Sequence, residues 1–248
     1  MALRNEIIKY LNDLVQVSEF DDYCVNGLQV EGKKEIEKIV LGVSVSKRFF
    51  EEAIQNNADM IIVHHGLFWK SDPSPMRLTG IMRERLALLI KNDINLLGYH
   101  LPLDAHPEFG NNAQIMKRLQ LETLAPVDVG FLGQPSSPIS LKEFSNLVND
   151  RLETSAQVFP YGPTTVQRVF VMSGGSSRYY DMAAAVGADT FVAGEIKENI
   201  VRELEEIGLN FIHAGHYNTE KFGIQALGQV ISERFKIPCQ FIDIPNPV

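Results

Sequence analysis

Two related stretches decide the fold: KIVLGVSVSKRFFEEAIQNNADMIIVHHG at residues 38–66 and RVFVMSGGSSRYYDMAAAVGADTFVAGE at residues 168–195. Each opens with a short β-rich run, turns through small residues (42–46; 173–177) and continues with a helical pattern. Each helix then leads through an Ala-Asp pair, Ala58-Asp59 or Ala188-Asp189, into a second apolar run. The runs MIIV and TFVAG suit strands covered on both faces. Aligned on the Ala-Asp pairs, His65 falls opposite Glu195. Farther on, INLLGYHLPLD (94–104) parallels LNFIHAGHYNTE (209–220), each an apolar strand running into His-x-x-x-acid.

Strands and helices alternating at this spacing read as βαβ units with parallel strands. The expected fold is therefore α/β, built from two duplicated halves whose mostly parallel sheets are flanked by helices. The halves are expected at 1–127 and 128–248, with the last helix and strand packing back on the first. The Gly-, Pro- and Ser-rich segment 128–138 reads as a connection between them. Ser140 and Glu143 have the spacing of a capping box that opens a helix reaching about Leu152. A tail helix is expected from about Glu220 to Arg234, capped by Asn218 or Thr219.

Composition bounds the function. Of 248 residues, 45% are hydrophobic and 22% charged, which excludes a disordered chain, a collagen-like repeat or a disulfide scaffold. Lys and Arg number 23 against 31 Asp and Glu, a net charge of −8, and the basic residues are scattered. That balance argues against direct nucleic-acid binding. Two cysteines, Cys24 and Cys239, are too few for a cysteine-based zinc site and suggest reduced thiols. The first residues, MALRNEIIKYLNDLV, lack the apolar core of a secretion signal, and no run approaches the ~20 apolar residues of a membrane span. A cytoplasmic protein without membrane contact is expected.

The six histidines carry the chemistry. They lie at 64, 65, 100, 106, 213 and 216, and five of them fall at the expected C-terminal ends of strands, where open α/β sheets bind ligands. His64, His65 and His216 with Asp104 and Glu220 form a nitrogen and carboxylate set without thiolate. Such a set suits two divalent ions, with zinc, manganese, iron, cobalt and nickel all compatible. Water held by two cations loses a proton near neutral pH and becomes a nucleophile. Glu195 and His100 are the candidate proton carriers; His100 and His213 each serve either as a proton carrier or as a partner that orients a carboxylate. His106 is expected in a solvated turn. SGGSS at 173–177 reads as a plain β-α turn before a phosphate cradle, and Phe68-Trp69 either anchors a loop or stacks on a planar substrate.

With VHHGLFW, GYHLPLDAHPEFGNNAQ, VAGE, AGHYNTEKFG, FIDIPNPV and the early NGLQVEG in view, the chain resembles one family over essentially its whole length. These are the dinuclear metal-centre proteins called GTP cyclohydrolase 1 type 2 homologues, or NGG-interacting-factor-three-like proteins. The resemblance implies two interlocked halves, two divalent metals and a toroidal homohexamer. It carries the metal residues over to His64, His65, Asp104, His216 and Glu220, with Glu220, alone or together with Asp104, bridging the ions. The spacer 128–167 is too short for the extra domain of some relatives. The implied activity is metal-dependent hydrolysis that opens the ring of a purine nucleotide; a phosphoesterase and a metal-handling protein without turnover are the alternatives.

Overall fold

The computed structural model describes Met1–Val248. The chain forms two compact units, each discontinuous in sequence. Unit 1 comprises Met1–Leu103 and Ile224–Ile244, and unit 2 comprises Asp104–Gly223 and Pro245–Val248. Compactness thus groups the chain differently from the repeat-based halves 1–127 and 128–248: residues 104–127 belong to unit 2 and 224–244 to unit 1.

Unit 1 contains α1 (Arg4–Leu14), β1 (Gly27–Val30), β2 (Ile39–Ser44), α2 (Lys47–Gln55), β3 (Met60–His65), α3 (Gly80–Lys91) and β4 (Asn95–Gly98). Its sheet runs in the order Cys239–Phe241, β2, β3, β4, β1. The first four strands are parallel and β1 closes the edge antiparallel. Side chains of successive strand residues point to opposite faces. Val40, Ile61, Val63 and Leu96 therefore meet Phe49, Phe50 and Ala53 of α2 and Leu86 and Leu89 of α3 in one core.

Unit 2 contains α4 (Asn111–Arg118), β5 (Leu121–Val127), β6 (Gly130–Pro135), α5 (Leu141–Leu152), β7 (Gln157–Phe159), β8 (Val169–Met172), α6 (Tyr180–Ala185), β9 (Thr190–Ala193), α7 (Glu198–Ile207) and β10 (Asn210–His213). The sheet order is β7, β10, β9, β8, β6, β5. Only the central β8, β9 and β10 are mutually parallel; β6 and β7 pair antiparallel with them, so this sheet is mixed. Both faces are covered. Val169, Val171, Val192 and Ile212 pack on Phe144, Val148 and Leu152 of α5, while Phe170, Met172, Phe191 and Phe211 pack on Ile200 and Leu204 of α7.

The duplication is present down to individual hydrogen bonds. In unit 1 the Asp59 carboxylate accepts from the backbone N–H groups of Glu37 (2.9 Å) and Lys38 (3.1 Å). In unit 2 Asp189 accepts from Gln167 and Arg168, both at 2.8 Å. Asn95 accepts from Gly32 N–H and donates to Lys33 C=O, each at 2.9 Å. Asn210 does the same with Gly162 (2.8 Å) and Pro163 (2.7 Å). The aspartates tie the entrances of two neighbouring parallel strands, and the asparagines tie the entrance of the third to the segment that follows the antiparallel edge strand. β2-α2-β3-α3-β4 and β8-α6-β9-α7-β10 are thus one unit built twice.

Two expectations are corrected. The segment 128–138 is no loose connection: β5 and β6 form a hairpin that turns at Asp128 (φ 54°), and β6 is inserted against β8. Its glycines answer a need for space, since a Cβ on Gly130 would lie 2.5 Å from the Val171 carbonyl oxygen. The last helix, α8 (His216–Phe235), starts earlier than its expected cap. Gly215, at φ +87°, makes the turn and its carbonyl accepts from Thr219 N–H. No helix is long and apolar enough to cross a membrane.

Candidate metal centre

In unit 1, β3 delivers His64 and His65 and the chain turns at once at Gly66. His64 is fully buried, and its Nδ1–H donates to the Tyr99 carbonyl at 2.9 Å. A carbonyl only accepts, so in a neutral ring the proton sits on Nδ1 and the lone pair on Nε2. His65 Nδ1 lies 2.9 Å from Ser44 Oγ, its register partner on β2. His100 follows β4 and is also buried; its Nδ1 donates to Asp22 at 2.9 and 3.2 Å. Ring nitrogens of His64, His65 and His100 lie within 4.8 Å of one another, a group that can hold a cation.

Asp22 anchors this group. Its carboxylate also accepts from Cys24 N–H (3.0 Å), Asn26 Nδ2 (2.9 Å) and Leu101 N–H (2.9 Å). Burial works against the charged carboxylate, but His100 and these donors outweigh it and hold the acid far below the usual carboxylate range.

In unit 2, His216 and Glu220 stand one helical turn apart on α8, which places them on one face. His216 Nε2 lies 2.9 Å from Glu220 Oε2, and Nδ1 donates to Glu195 at the end of β9. Burial disfavours the imidazolium, yet Glu220 first and Glu195 second raise its pKa to about 9. Glu220 is 3% exposed. Asp104 is buried at the end of the short helix Leu101–Asp104, where its Oδ1 accepts from Asn111 Nδ2 (2.8 Å) and Ser173 Oγ (3.2 Å).

The residues around these groups pack closely on them. Asn111 Oδ1 accepts from Gly223 N–H at 2.8 Å, and Asn112 Oδ1 accepts from Ser173 N–H at 2.7 Å. Gly174 sits at φ +63°, and a Cβ there would lie 2.2 Å from Glu220 Oε1. The SGGSS turn is occupied with this work. Gly174 N–H donates to Thr219 Oγ1 and Ser176 Oγ donates to the Met172 carbonyl, which favours the plain β-α turn over a phosphate cradle.

The donor chemistry fits divalent ions. His64, His65 and His216 are each engaged at Nδ1, by a carbonyl, a hydroxyl and a carboxylate. Such partners fix ring orientation and direct Nε2 toward a metal. In unit 2 Asp104 and Glu220 are buried carboxylates, and in unit 1 burial pushes the Cys24 thiol up to about 11. Glu195 and His100 are each committed at one side to a partner. His213 ends β10, with burial lowering its pKa first and Glu195 opposing. His106 is half-buried and stacked on Phe109 at 4.7 Å, accepting at Nδ1 from the Glu108 and Phe109 N–H groups.

Reading the sequence misses Asp22, Asn111, Asn112, Ser44 and Gly174. The pair Asn111-Asn112 and the glycines of SGGSS are visible as motifs. Asp22 leaves no signal, because its partner His100 lies 78 residues away along the chain.

Comparison with known proteins places this geometry. The chain matches the family model for Duf34/NIF3 (NGG1p interacting factor 3) over residues 2–247. It is 41% identical over 248 residues to the GTP cyclohydrolase 1 type 2 homolog of Haemophilus influenzae, covering 98% of each chain. Among solved structures, protein ybgI superposes with a TM-score of 0.94 at 40% identity, and TTHA1606 of Thermus thermophilus with 0.92 at 36%, each over 100% of both chains. A family match of this extent, joined to relatives of this identity, makes the chain a member of the Duf34/NIF3 family.

Proposed function

We propose that the chain binds two divalent metal ions through His64, His65, Asp104, His216 and Glu220, and hydrolyses a purine nucleotide with opening of the ring and release of formate. The observation that carries the metal reading is the common Nδ1 engagement of the three imidazoles, which fixes each ring so that Nε2 is the atom it would offer a metal. Two divalent ions on such donors acidify water and polarise substrate oxygens. The protein's own part is orientation: Glu195 fixes His216, Asn111 and Ser173 fix Asp104, and Ser44 fixes His65. Asp22 holds His100 at Nδ1, so the ring can exchange a proton with substrate at Nε2. The name shared by the relatives supports the choice of substrate. The same resemblance supports assembly as a toroidal homohexamer, which light scattering on the purified protein tests.

The test is metal analysis of protein purified without added metal or chelator, followed by a nucleotide screen with formate and phosphate readouts. The expected result is about two ions per chain, with formate release that is lost in His64→Ala. Phosphate release without formate would replace ring opening by phosphoester hydrolysis. Two ions with no turnover would leave metal handling, and an absence of bound metal would overturn the site itself.

A further inference from the structure

We infer that Tyr23 and Trp69 form a stacking shelf for a planar heteroaromatic base, lying beside the histidine group of unit 1. The choice of a purine as the base rests on the proposed function; the shelf does not.

A short antiparallel ladder outside the sheet builds it. Val25 N–H donates to the Phe68 carbonyl (3.0 Å), Lys70 N–H donates to the Tyr23 carbonyl (2.7 Å), and Cys24 bridges Trp69. Both arms are anchored. Asp22 accepts from Cys24 N–H, and Asp72 accepts from Trp69 N–H at 2.7 Å. The indole N–H is itself used, donating to the Gly66 carbonyl at 3.1 Å, so the plane of Trp69 is fixed. The Tyr23 and Trp69 rings stand 5.7 Å apart and only 31° from parallel. His100 meets both edge-on, at 4.9 and 5.3 Å, and His65 lies 6.0 Å from Trp69.

These two rings differ from a core anchor. Phe68, next along the chain, packs against the hydrophobic core of unit 1 and does the anchoring. Trp69 instead lies among Tyr23, His65 and His100, and Tyr23 is 48% exposed. Exposed aromatic faces bind bases of any identity by stacking. The charges around the shelf are Asp21, Asp22 and Asp72 against Lys70, which already pairs with Asp21. This negative surround disfavours phosphate and favours an uncharged base.

Trp69 is the only tryptophan in the chain, so its fluorescence reports on the shelf directly. The test titrates the full chain with guanosine and, separately, ribose 5-phosphate, with bound metal and after chelation. Saturable quenching by guanosine alone is expected, retained by Tyr23→Phe and weakened about tenfold in Tyr23→Leu. Circular dichroism establishes that both variants are folded. Quenching by ribose 5-phosphate, equal affinity in Tyr23→Leu, or no saturable quenching would each overturn the shelf. Quenching that survives chelation in a protein without turnover would leave the shelf standing while the hydrolase reading fails; turnover without quenching would do the reverse.

Discussion

Glu195 accepts the Nδ1 proton of His216 while Nε2 of the same ring lies 2.9 Å from Glu220. One imidazole is therefore held between two carboxylates, Glu195 at Nδ1 and Glu220 at Nε2. By the repeat, Glu195 occupies the place of His65, so the duplicated position supplies a candidate ligand in one copy and, in the other, the carboxylate that accepts from a candidate ligand.

Replacing Glu195 with Ala should therefore act through His216. Metal affinity is expected to fall ~10–100-fold, the usual cost of losing a partner behind a ligating histidine. Isothermal titration with zinc or manganese on the chelator-treated protein measures this. Unchanged affinity together with lost turnover would instead make Glu195 a proton carrier in the reaction.

Gly174→Ala places a methyl 2.2 Å from Glu220 Oε1 at a backbone angle of φ +63°. Left-handed strain alone costs about 1–3 kcal/mol. The variant should unfold at lower denaturant and also lose metal. Gly175→Ala is the control, since its Cβ would meet only His216 Cε1 at 4.0 Å.

Asp22→Ala removes the acceptor of three buried N–H bonds and of Asn26. Leaving such donors unmatched should lower stability by roughly 3 kcal/mol. Urea unfolding measures the loss; an effect under about 0.5 kcal/mol would remove Asp22 from its anchoring role.

The pH dependence of stability should carry the mark of Asp59. Burial opposes its charge, but Lys33 and the Glu37 and Lys38 N–H groups lower its pKa in the folded chain. Its contribution is therefore complete above the unfolded value of 3.8 and is lost as pH falls through the lower folded value. Lys33 is raised by the same pair, so its share is present below its unfolded pKa and lost at alkaline pH as the folded value is passed. Asp59→Asn should flatten the acid limb of a plot of unfolding free energy against pH. The Lys33 limb should be small and salt-sensitive, since that side chain is 46% exposed.

Chelation should lower the melting temperature. A ligand bound only by the folded chain at a hundred times its dissociation constant stabilises it by about 2.7 kcal/mol. Differential scanning calorimetry with and without chelator, repeated on His216→Ala, measures this term; a variant that still responds fully would exclude His216 as a ligand.

Much of this was legible in the chain. The repeated Ala-Asp pairs mark the aspartates that tie the strands together, because a carboxylate receiving two backbone N–H groups recurs wherever the unit does. The strand-end histidines were legible for a similar reason: hydrophobic periodicity gives the strands, and the strands give their ends. The β5–β6 hairpin was not, since glycines needed for close approach look the same in sequence as glycines that break a strand. Nor was the start of α8, where a left-handed Gly215 replaces a side-chain cap.

The repeated β-α-β-α-β unit, the residue types at its strand ends and the lack of cysteine among them can be read directly from the chain. These follow from local pattern, which side-chain alternation and helical periodicity translate directly into structure. Tertiary structure alone decided which groups hold which: Asp22 on His100, Ser44 on His65, Asn111 on Asp104 and Glu195 on His216. Most of those bonds join residues far apart along the chain, and their geometry exists only once parallel strands lie in register and bring their ends side by side.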